Sequence, residues 1–136
     1  MKKLLILTPL ISTLISCSYF ENDLTLLCKG TLHITQNKFV NGEKGDVITD
    51  TVEKNYEKVF KFENKSYGVY KCEWSKEIIR CRRQDDKDGV KIDNYLRVDR
   101  LTGNTVTLDE MWSKSTKTYY VDDFQGVCEK SKGNKI

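Results

Sequence analysis

Residues 70–81 read Tyr-Lys-Cys-Glu-Trp-Ser-Lys-Glu-Ile-Ile-Arg-Cys, and this stretch predicts a β-hairpin. Side chains at alternate positions of a strand lie on the same face, so Cys72 shares a face with Trp74, and Cys81 shares a face with Ile79. If Trp74 pairs with Ile79 across the hairpin, Cys72 lies opposite Cys81 and a four-residue loop joins the strands. Both thiols then lie on the apolar face of the hairpin, where they can form a disulfide.

The sequence on both sides of this hairpin also has the pattern of β-strands. Apolar and polar residues alternate in four further segments, at 24–34, 56–62, 92–98 and 105–109. Turn-forming Gly, Asn and Asp separate these segments in clusters, at 41–46, 64–66, 85–89 and 102–104. Strands about ten residues apart with short turns predict a mostly β fold, an antiparallel meander that closes as a small barrel or stacks as a sandwich.

The segment over 50–57 has a second interpretation. Val52 and Tyr56 also fit the spacing of one helix face. Asp50 is followed three residues later by Glu53, which resembles a capping box at the start of a helix. One short helix in this segment is therefore an alternative to a continuous strand.

The first 17 residues have the layout of an export signal. Two lysines precede an apolar stretch of about a dozen residues, which is within the range of a secretory signal and short for a membrane-spanning helix. The stretch ends in Leu14-Ile15-Ser16-Cys17, which resembles the lipobox of bacterial lipoproteins. The resemblance implies cleavage before Cys17 and lipidation of that cysteine. Ser18, in place of an aspartate, implies sorting to the outer membrane of a Gram-negative cell, facing the periplasm.

The lipobox resemblance and the strand pattern together divide the chain into four parts. These are a signal peptide at 1–16, a lipidated cysteine and tether at 17–23, a β domain at 24–128, and a flexible charged tail at 129–136. The signal peptide holds two of the 23 basic residues and none of the 20 acidic ones, so removing it lowers the formal charge from +3 to +1. A chain this close to neutral lacks the basic surface that is typical of nucleic-acid binding.

The cysteine count predicts two disulfides. With Cys17 assigned to lipid, four of the five cysteines are left, an even number in an exported chain. Cys28 and Cys128 lie on the apolar faces of the first and last segments, so among three connectivities the pairs Cys72–Cys81 and Cys28–Cys128 are favoured. A zinc site is disfavoured because the chain has no Cys-x-x-Cys spacing, and we expect neither a metal nor a cofactor.

No combination of residues predicts catalysis. The single histidine, His33, argues against a histidine-built metal site, a Ser-His-Asp triad and a catalytic thiol. Residues 84–89 invite comparison with a calcium-binding loop, but Tyr95 occupies the position of the required acid, so an acidic turn is the better interpretation. Nothing singles out a carboxylate pair of the glycosidase type among the 20 acidic residues. We therefore expect a protein that is not an enzyme and has no catalytic residues.

The hairpin also carries a candidate binding patch, formed by Arg80, Arg82, Arg83 and Trp74. Arginine and tryptophan concentrate binding energy at protein interfaces, and guanidinium groups recognise phosphates and carboxylates. Face parity places Arg80 with Arg82 and puts Arg83 on the other face. Two simpler interpretations compete with a binding role: the arginines protect an edge strand by their charge, and Trp74 fills the core.

Taken together, the sequence predicts a lipid-anchored cell-envelope protein with a non-catalytic binding role. An inhibitor or immunity factor that acts on an envelope protein or a foreign protein fits this description. The membrane, reached through the N-terminal lipid, is the other expected partner, and nucleic acid is not. A small-ligand carrier in a β-barrel and a structural envelope lipoprotein are the alternatives.

Overall fold

The structure, a computed structural model, describes residues 22–41 and 43–131, which form one antiparallel sheet of seven strands. The strands are β1 (Leu24–Val40), β2 (Glu43–Phe62), β3 (Lys71–Trp74), β4 (Ile78–Lys87), β5 (Val90–Asp99), β6 (Asn104–Ser113) and β7 (Thr118–Lys130). In the sheet they follow the order β2-β1-β7-β6-β5-β4-β3, so β3 to β7 form a meander and β1 lies between β2 and β7. The mostly β prediction is confirmed. The predicted signal peptide, Cys17, and most of the tether and the tail lie outside the described residues.

Short turns join neighbouring strands where the sequence offers residues that adopt a positive φ. Between β4 and β5 the turn consists of Asp88 and Gly89, whose φ angles are 55° and 76°. An Asp-Gly pair suits a type I′ turn, because both central residues need a positive φ and the twist of this turn matches that of the strands. The turn lies inside the predicted cluster at 85–89, whose first three residues belong to the end of β4.

The segment over 50–57 is part of strand β2, so the helical alternative is wrong. Its residues pair with β1 in antiparallel register, beginning with Asp50 opposite Thr35. A bulge interrupts the register at Asn55, which adopts a positive φ of 61°. The pairing with β1 satisfies the backbone hydrogen-bonding groups on one side of the segment and turns Tyr56 toward the core, whereas a short helix here would have only its local capping signal.

The sheet curls until side chains of its two outermost strands, β2 and β3, meet. The ring centroids of Phe62 in β2 and Trp74 in β3 are 5.4 Å apart, and the rings are nearly perpendicular, at 87°. Two isolated β-bridges stiffen the connection between these strands, within residues 63–70. A single curled sheet rules out the sandwich alternative. In the described residues β2 and β3 do not pair with each other, so the curl leaves a gap in the hydrogen-bonded sheet.

The concave face of the curled sheet encloses the hydrophobic core. Its most buried members come from β2, β4, β5 and β7 and are each at most 1% exposed: Phe60, Phe62, Ile79, Leu96 and Phe124. Partly buried aromatic side chains pack against them, namely Tyr56, Tyr67, Tyr70 and Trp74. The core fills the half of the concave face that lies toward the start of β1.

Both predicted disulfides are present. Cys28 of β1 lies opposite Cys128 of β7 and is bonded to it, which ties the first strand to the last. Cys72 of β3 lies opposite Cys81 of β4 and is bonded to it, and the surrounding hairpin has the predicted register. The two bridges therefore fix strand pairs on both sides of the core.

Strand β7 extends to Lys130, two residues beyond the predicted end of the β domain. Glu129 and Lys130 were expected in the flexible tail, but they pair with Leu27 and Leu26 of β1, and the backbone hydrogen bonds of β1 hold them in the sheet. Within residues 22–41 and 43–131, no helix has the length and apolar character needed to cross a membrane.

Candidate functional site

The four residues of the predicted binding patch lie on two faces of the sheet. Arg80 and Arg82 lie on the convex face, because they alternate with buried core residues of β4. Arg83 has the parity of the concave face, as does Trp74, which packs against the aromatic ring of Phe62. The structure thus brings Arg80 and Arg82 together and separates them from Trp74 and Arg83, as the parity of β4 predicts for Arg83.

Each of the two arginines on the convex face has an acidic neighbour, which weakens it as an anion-binding group. Nε and Nη2 of Arg82 donate to the two carboxylate oxygens of Asp93, at 2.9 and 2.8 Å. These hydrogen bonds hold the pKa of Asp93 below its usual value. Arg80 lies between Glu73 of β3 and Arg97 of β5. Both arginines pair with β3 on one side and with β5 on the other, so they do not lie on an edge strand, and the interpretation that they protect an edge is wrong.

A different set of polar side chains gathers on the concave face beyond the packed core. The set, which we call the polar end, consists of Tyr70, Asn94, Asp109, Tyr120 and Asp122, and each of these residues is half-buried. Asp109 of β6 lies directly opposite Asp122 of β7. The register that sets Thr107 opposite Phe124 therefore also sets these two carboxyl groups opposite each other, two residues away on each strand.

A chain of hydrogen bonds connects three members of the polar end. Asn94 Nδ2 donates to the Tyr70 hydroxyl at 3.1 Å, and this hydroxyl donates to Asp109 Oδ1 at 3.4 Å. Burial raises the pKa of Tyr70, so the hydroxyl keeps the proton that it donates. Because Tyr70 precedes β3 and Asp109 lies in β6, the chain links the outermost part of the sheet to its centre.

The carboxyl pair is held in an environment that opposes its ionisation. Burial raises the pKa of both Asp109 and Asp122, because the charged form loses hydration on the concave face. The Lys58 ammonium acts in the opposite direction on both groups. It stands 5.5 Å from the centre of the Phe60 ring and 5.7 Å from that of Phe124. Among the described residues, no basic side chain forms an ion pair with either carboxylate.

Within the described residues, two buried oxygen atoms at the pair have no hydrogen-bond partner, Oδ1 of Asp122 and Oγ1 of Thr107, and Trp74 Nε1 in the core is a third such atom. Thr107 is only 2% exposed and lies two residues before Asp109 on the same face of β6. A buried polar atom without a partner costs about 1–3 kcal/mol of stability. Proteins tolerate such costs most often at functional sites, which makes the polar end the candidate site of this chain.

The sequence does not single out this pair, because Asp109 and Asp122 lie in separate segments and meet only through strand register. A signal is nevertheless present in β6, where Asp109 follows Thr107 on the polar face. That face is turned toward the core: Thr107 is 2% exposed, whereas Val106 and Leu108 on the other face are each 36% exposed. An inward-facing polar strand face is the feature that would have directed attention to this place.

Neither a metal-binding cluster in the described residues nor a similar protein indicates a second candidate site. In the part of the chain that the structure describes, no group of three or more His, Cys, Asp or Glu side chains is placed to hold a metal ion. His33 forms an exposed hydrogen bond with Asp50, with 2.5 Å between Nε2 and Oδ1. Comparison of the chain with protein-family models, with curated proteins and with solved structures finds no match. The polar end is therefore the candidate site within the part of the chain that the structure describes.

Replacing Asp122 with asparagine is expected to raise the melting temperature at pH 7 by about 3 °C, because a buried negative charge opposite Asp109 is removed. The pKa of Asp122 is raised in the folded protein, so the folded state binds this proton more tightly than the unfolded state does. Asp122 therefore destabilises the folded state most at neutral pH. This destabilisation decreases as the pH drops through the folded pKa, and it is absent below the unfolded pKa. Thermal unfolding of both proteins between neutral pH and about pH 3 measures the difference.

The control for this substitution is Asp86→Asn, which removes an exposed acid near the end of β4. Its melting temperature should stay within the error of the wild type across the same pH range. A lower melting temperature for Asp122→Asn at pH 7 would contradict the argument that this carboxylate is held at a cost.

Proposed function

We propose that the protein is a lipid-anchored cell-envelope protein that binds a partner without catalysing a reaction, as an inhibitor or an immunity factor does. The resemblance of residues 14–17 to a lipobox supports the anchor. The two disulfides are compatible with an oxidising compartment, in agreement with a domain that faces the periplasm from the outer membrane.

The observation that carries the binding role is the contrast between the two halves of the concave face. Toward the start of β1 this face is filled by a core in which Phe60, Phe62 and Phe124 are at most 1% exposed. At the polar end, the same face carries half-buried hydroxyl, amide and carboxylate groups whose hydrogen-bonding capacity is only partly used. A few convergent polar groups beside apolar walls are typical of binding sites, because a ligand can complete their hydrogen bonds.

A small-ligand carrier is the second candidate, and the filled core argues against its usual form. A β-barrel carrier holds its ligand in an interior cavity, whereas the interior around Phe60 and Phe124 is occupied by side chains. A small ligand would therefore bind at the polar end, beside Tyr70 and Asn94, and would itself be polar.

Photo-cross-linking of the full chain in living cells tests the proposed function. Met111 lies opposite Tyr120 at the rim of the polar end and is 38% exposed, so p-benzoylphenylalanine at position 111 reports on this face. We expect ultraviolet light to produce an adduct with one partner protein in the membrane fraction, and we expect the adduct to carry a palmitate label. Cys17→Ser should remove the label and release the adduct from the membrane, because the acyl chains supply the anchoring energy.

The matched control carries the same photoreactive group at position 101. Leu101 is 75% exposed but lies in the turn after β5, at the other end of the sheet, and we expect no adduct there. Equal cross-linking from positions 101 and 111, or none from position 111, would contradict a binding role of the concave face. A full chain without palmitate would contradict the lipid anchor.

A further inference from the structure

We propose that two copies of this chain associate through the open edge of β2, as antiparallel strands that pair over residues 50–54 about a two-fold axis at Val52. The proposal goes beyond the binding function proposed above, because it uses the edge of the sheet and leaves the concave face free for another partner. It depends on three features of β2, which are its open edge, the exposure of both of its faces, and a charge pattern that is complementary to itself.

The outer edge of β2 is open along the first part of the strand. Within the described residues β2 pairs only with β1, so the backbone groups on its other side pair with no strand there. Residues 50–55 are all exposed, which means that neither face of this part is covered. An exposed edge of this kind is a template for pairing with a strand of another molecule.

Two irregularities limit the part of the edge that can pair. The register of β2 with β1 is regular over residues 49–54 and is interrupted at Asn55, which has a positive φ of 61°. On the other side, Ile48 has no partner in β1. Because a bulge bends the strand and terminates pairing, a second strand can follow the edge only between these two positions. The regular segment has about the usual length of a strand.

Symmetry restricts the register in which two such edges can meet. Directly opposite side chains of an antiparallel pair lie on the same face of the sheet, and a two-fold axis perpendicular to the sheet keeps the faces of both copies. In a regular strand, a residue can therefore lie opposite only itself or a residue an even number of positions away. Each possible pairing is thus centred on one residue that lies opposite its own copy.

The charges of the segment exclude most of these centres. A pairing centred on Asp50, Glu53 or Lys54 sets two like charges directly opposite each other, which destabilises the pair. A pairing centred on Thr51 sets Asp50 opposite Val52 and gives its carboxylate no charged partner. Charged side chains on an edge strand usually oppose association. Here they oppose the wrong registers and leave the one centred on Val52.

The pairing centred on Val52 sets Asp50 of each copy opposite Lys54 of the other. Two opposite-charge pairs then flank a pair of valines, and cross-strand pairs of both kinds stabilise a sheet. Val52 is 57% exposed, so the association also removes apolar surface from water. Thr51 lies opposite Glu53 on the other face, where no like charges meet.

The charged groups of this register are available to a second copy. Asp50 is hydrogen-bonded to His33 of its own chain, yet 58% of its side chain stays exposed. Lys54 is exposed and forms no ion pair among the described residues. A carboxylate has two oxygen atoms that accept hydrogen bonds, so Asp50 can retain His33 and also contact the ammonium of the other copy.

A cysteine at the proposed axis tests this register. The Cα atoms of opposite residues in an antiparallel pair are about 4.5–5.5 Å apart, which is within the range of a disulfide. We expect oxidised glutathione to convert the purified full chain with Val52→Cys, in detergent micelles, into a covalent dimer on a non-reducing gel. Reducing agent should return it to the monomer.

The matched control is Val47→Cys, in the same strand and equally accessible at 61% exposure. In the proposed dimer the two copies of position 47 are roughly 33 Å apart along the strands, so we expect no covalent dimer. Equal dimer formation by the two variants, or none by Val52→Cys, would overturn the proposal. An edge that takes a strand of a different protein gives the second of these results.

Charge reversal in the Val52→Cys chain tests the salt bridges separately. Asp50→Lys sets two lysines opposite each other, and Lys54→Asp sets two aspartates opposite each other, so each variant alone should form no more dimer than Val47→Cys does. A mixture of the two variants restores both opposite-charge pairs, and we expect a mixed dimer at the level of the Val52→Cys chain. Tags of different size identify it, and its formation shows that both variants fold.

A mixture that forms no more mixed dimer than each variant forms with itself would overturn the proposal. This outcome is distinguishable from a failure of the proposed function. If position 111 still cross-links its partner in the Asp50→Lys chain, the concave face binds that partner independently of the β2 edge.

Discussion

A chain in which alanine replaces both Cys28 and Cys128 is expected to lose about 4–5 kcal/mol of unfolding free energy. This disulfide joins residues 100 positions apart, and a cross-link that closes so long a loop removes much conformational entropy from the unfolded chain. Both cysteines are also buried, at 3% and 8% exposure, so the folded state loses packing as well. Urea unfolding of the oxidised full-length protein, followed by tryptophan fluorescence, measures the loss.

The second disulfide provides the matched control. Cys72 and Cys81 are 9 positions apart, so the same entropy argument gives a loss of about 2–3 kcal/mol for their double alanine variant. Each variant removes one disulfide and retains the other, and the difference of about 2 kcal/mol between them reports the length of the closed loop. Equal losses, or a larger loss for the short loop, would contradict the view that Cys28–Cys128 stabilises the fold by joining its first strand to its last.

The parts of the fold that were predictable from the sequence are those in which neighbouring residues carry the information. The hairpin around Cys72 and Cys81 is one of them, because face parity and a short loop together select one register. The turn at Asp88 and Gly89 is another, since few residue pairs tolerate a positive φ at both positions.

Long-range pairing decides what the local pattern leaves open. Over 50–57, helical spacing and strand alternation both fit the residues, and Tyr56 lies on the apolar face in either case. The outcome depends on β1, which pairs with the segment except at the Asn55 bulge and gives partners to the backbone groups on that side. The single curled sheet has the same origin, because no local signal specifies that Phe62 and Trp74 will meet from opposite edges.

The polar end could not be predicted, because its chemistry arises from strand register. Asp122 has the parity of Phe124 and Cys128, which assigns it to the apolar face of the last strand, but only the pairing of β7 with β6 determines which side chain lies opposite it. That pairing sets Asp122 opposite Asp109, and it sets Asp123 opposite Leu108 on the convex side. A shift of one residue would exchange their faces, so the carboxylate pair is a property of the folded sheet.

Phe124→Ala is expected to lower the unfolding free energy by about 4 kcal/mol. The side chain is 0% exposed, and its ring centre lies 6.2 Å from that of Tyr56 and 6.4 Å from that of Phe60. Gly126 leaves the space that the ring needs, because a Cβ atom at that position would lie 2.6 Å from Phe124 Cζ. The backbone is thus shaped around the ring, and since close-packed neighbours relax only partially, truncation leaves a cavity in the centre of the core.

The control for this variant lies on the same strand and the opposite face. Val127 is 56% exposed on the convex side, so Val127→Ala should change the unfolding free energy by less than about 1 kcal/mol. Urea unfolding measures both variants under identical conditions. Similar losses for the two variants would contradict the conclusion that the concave face holds the core. A loss confined to Phe124→Ala would locate the stabilising contacts on the concave face. Asp122 lies two residues away on this face, so the tightly packed core gives the carboxylate pair a rigid support.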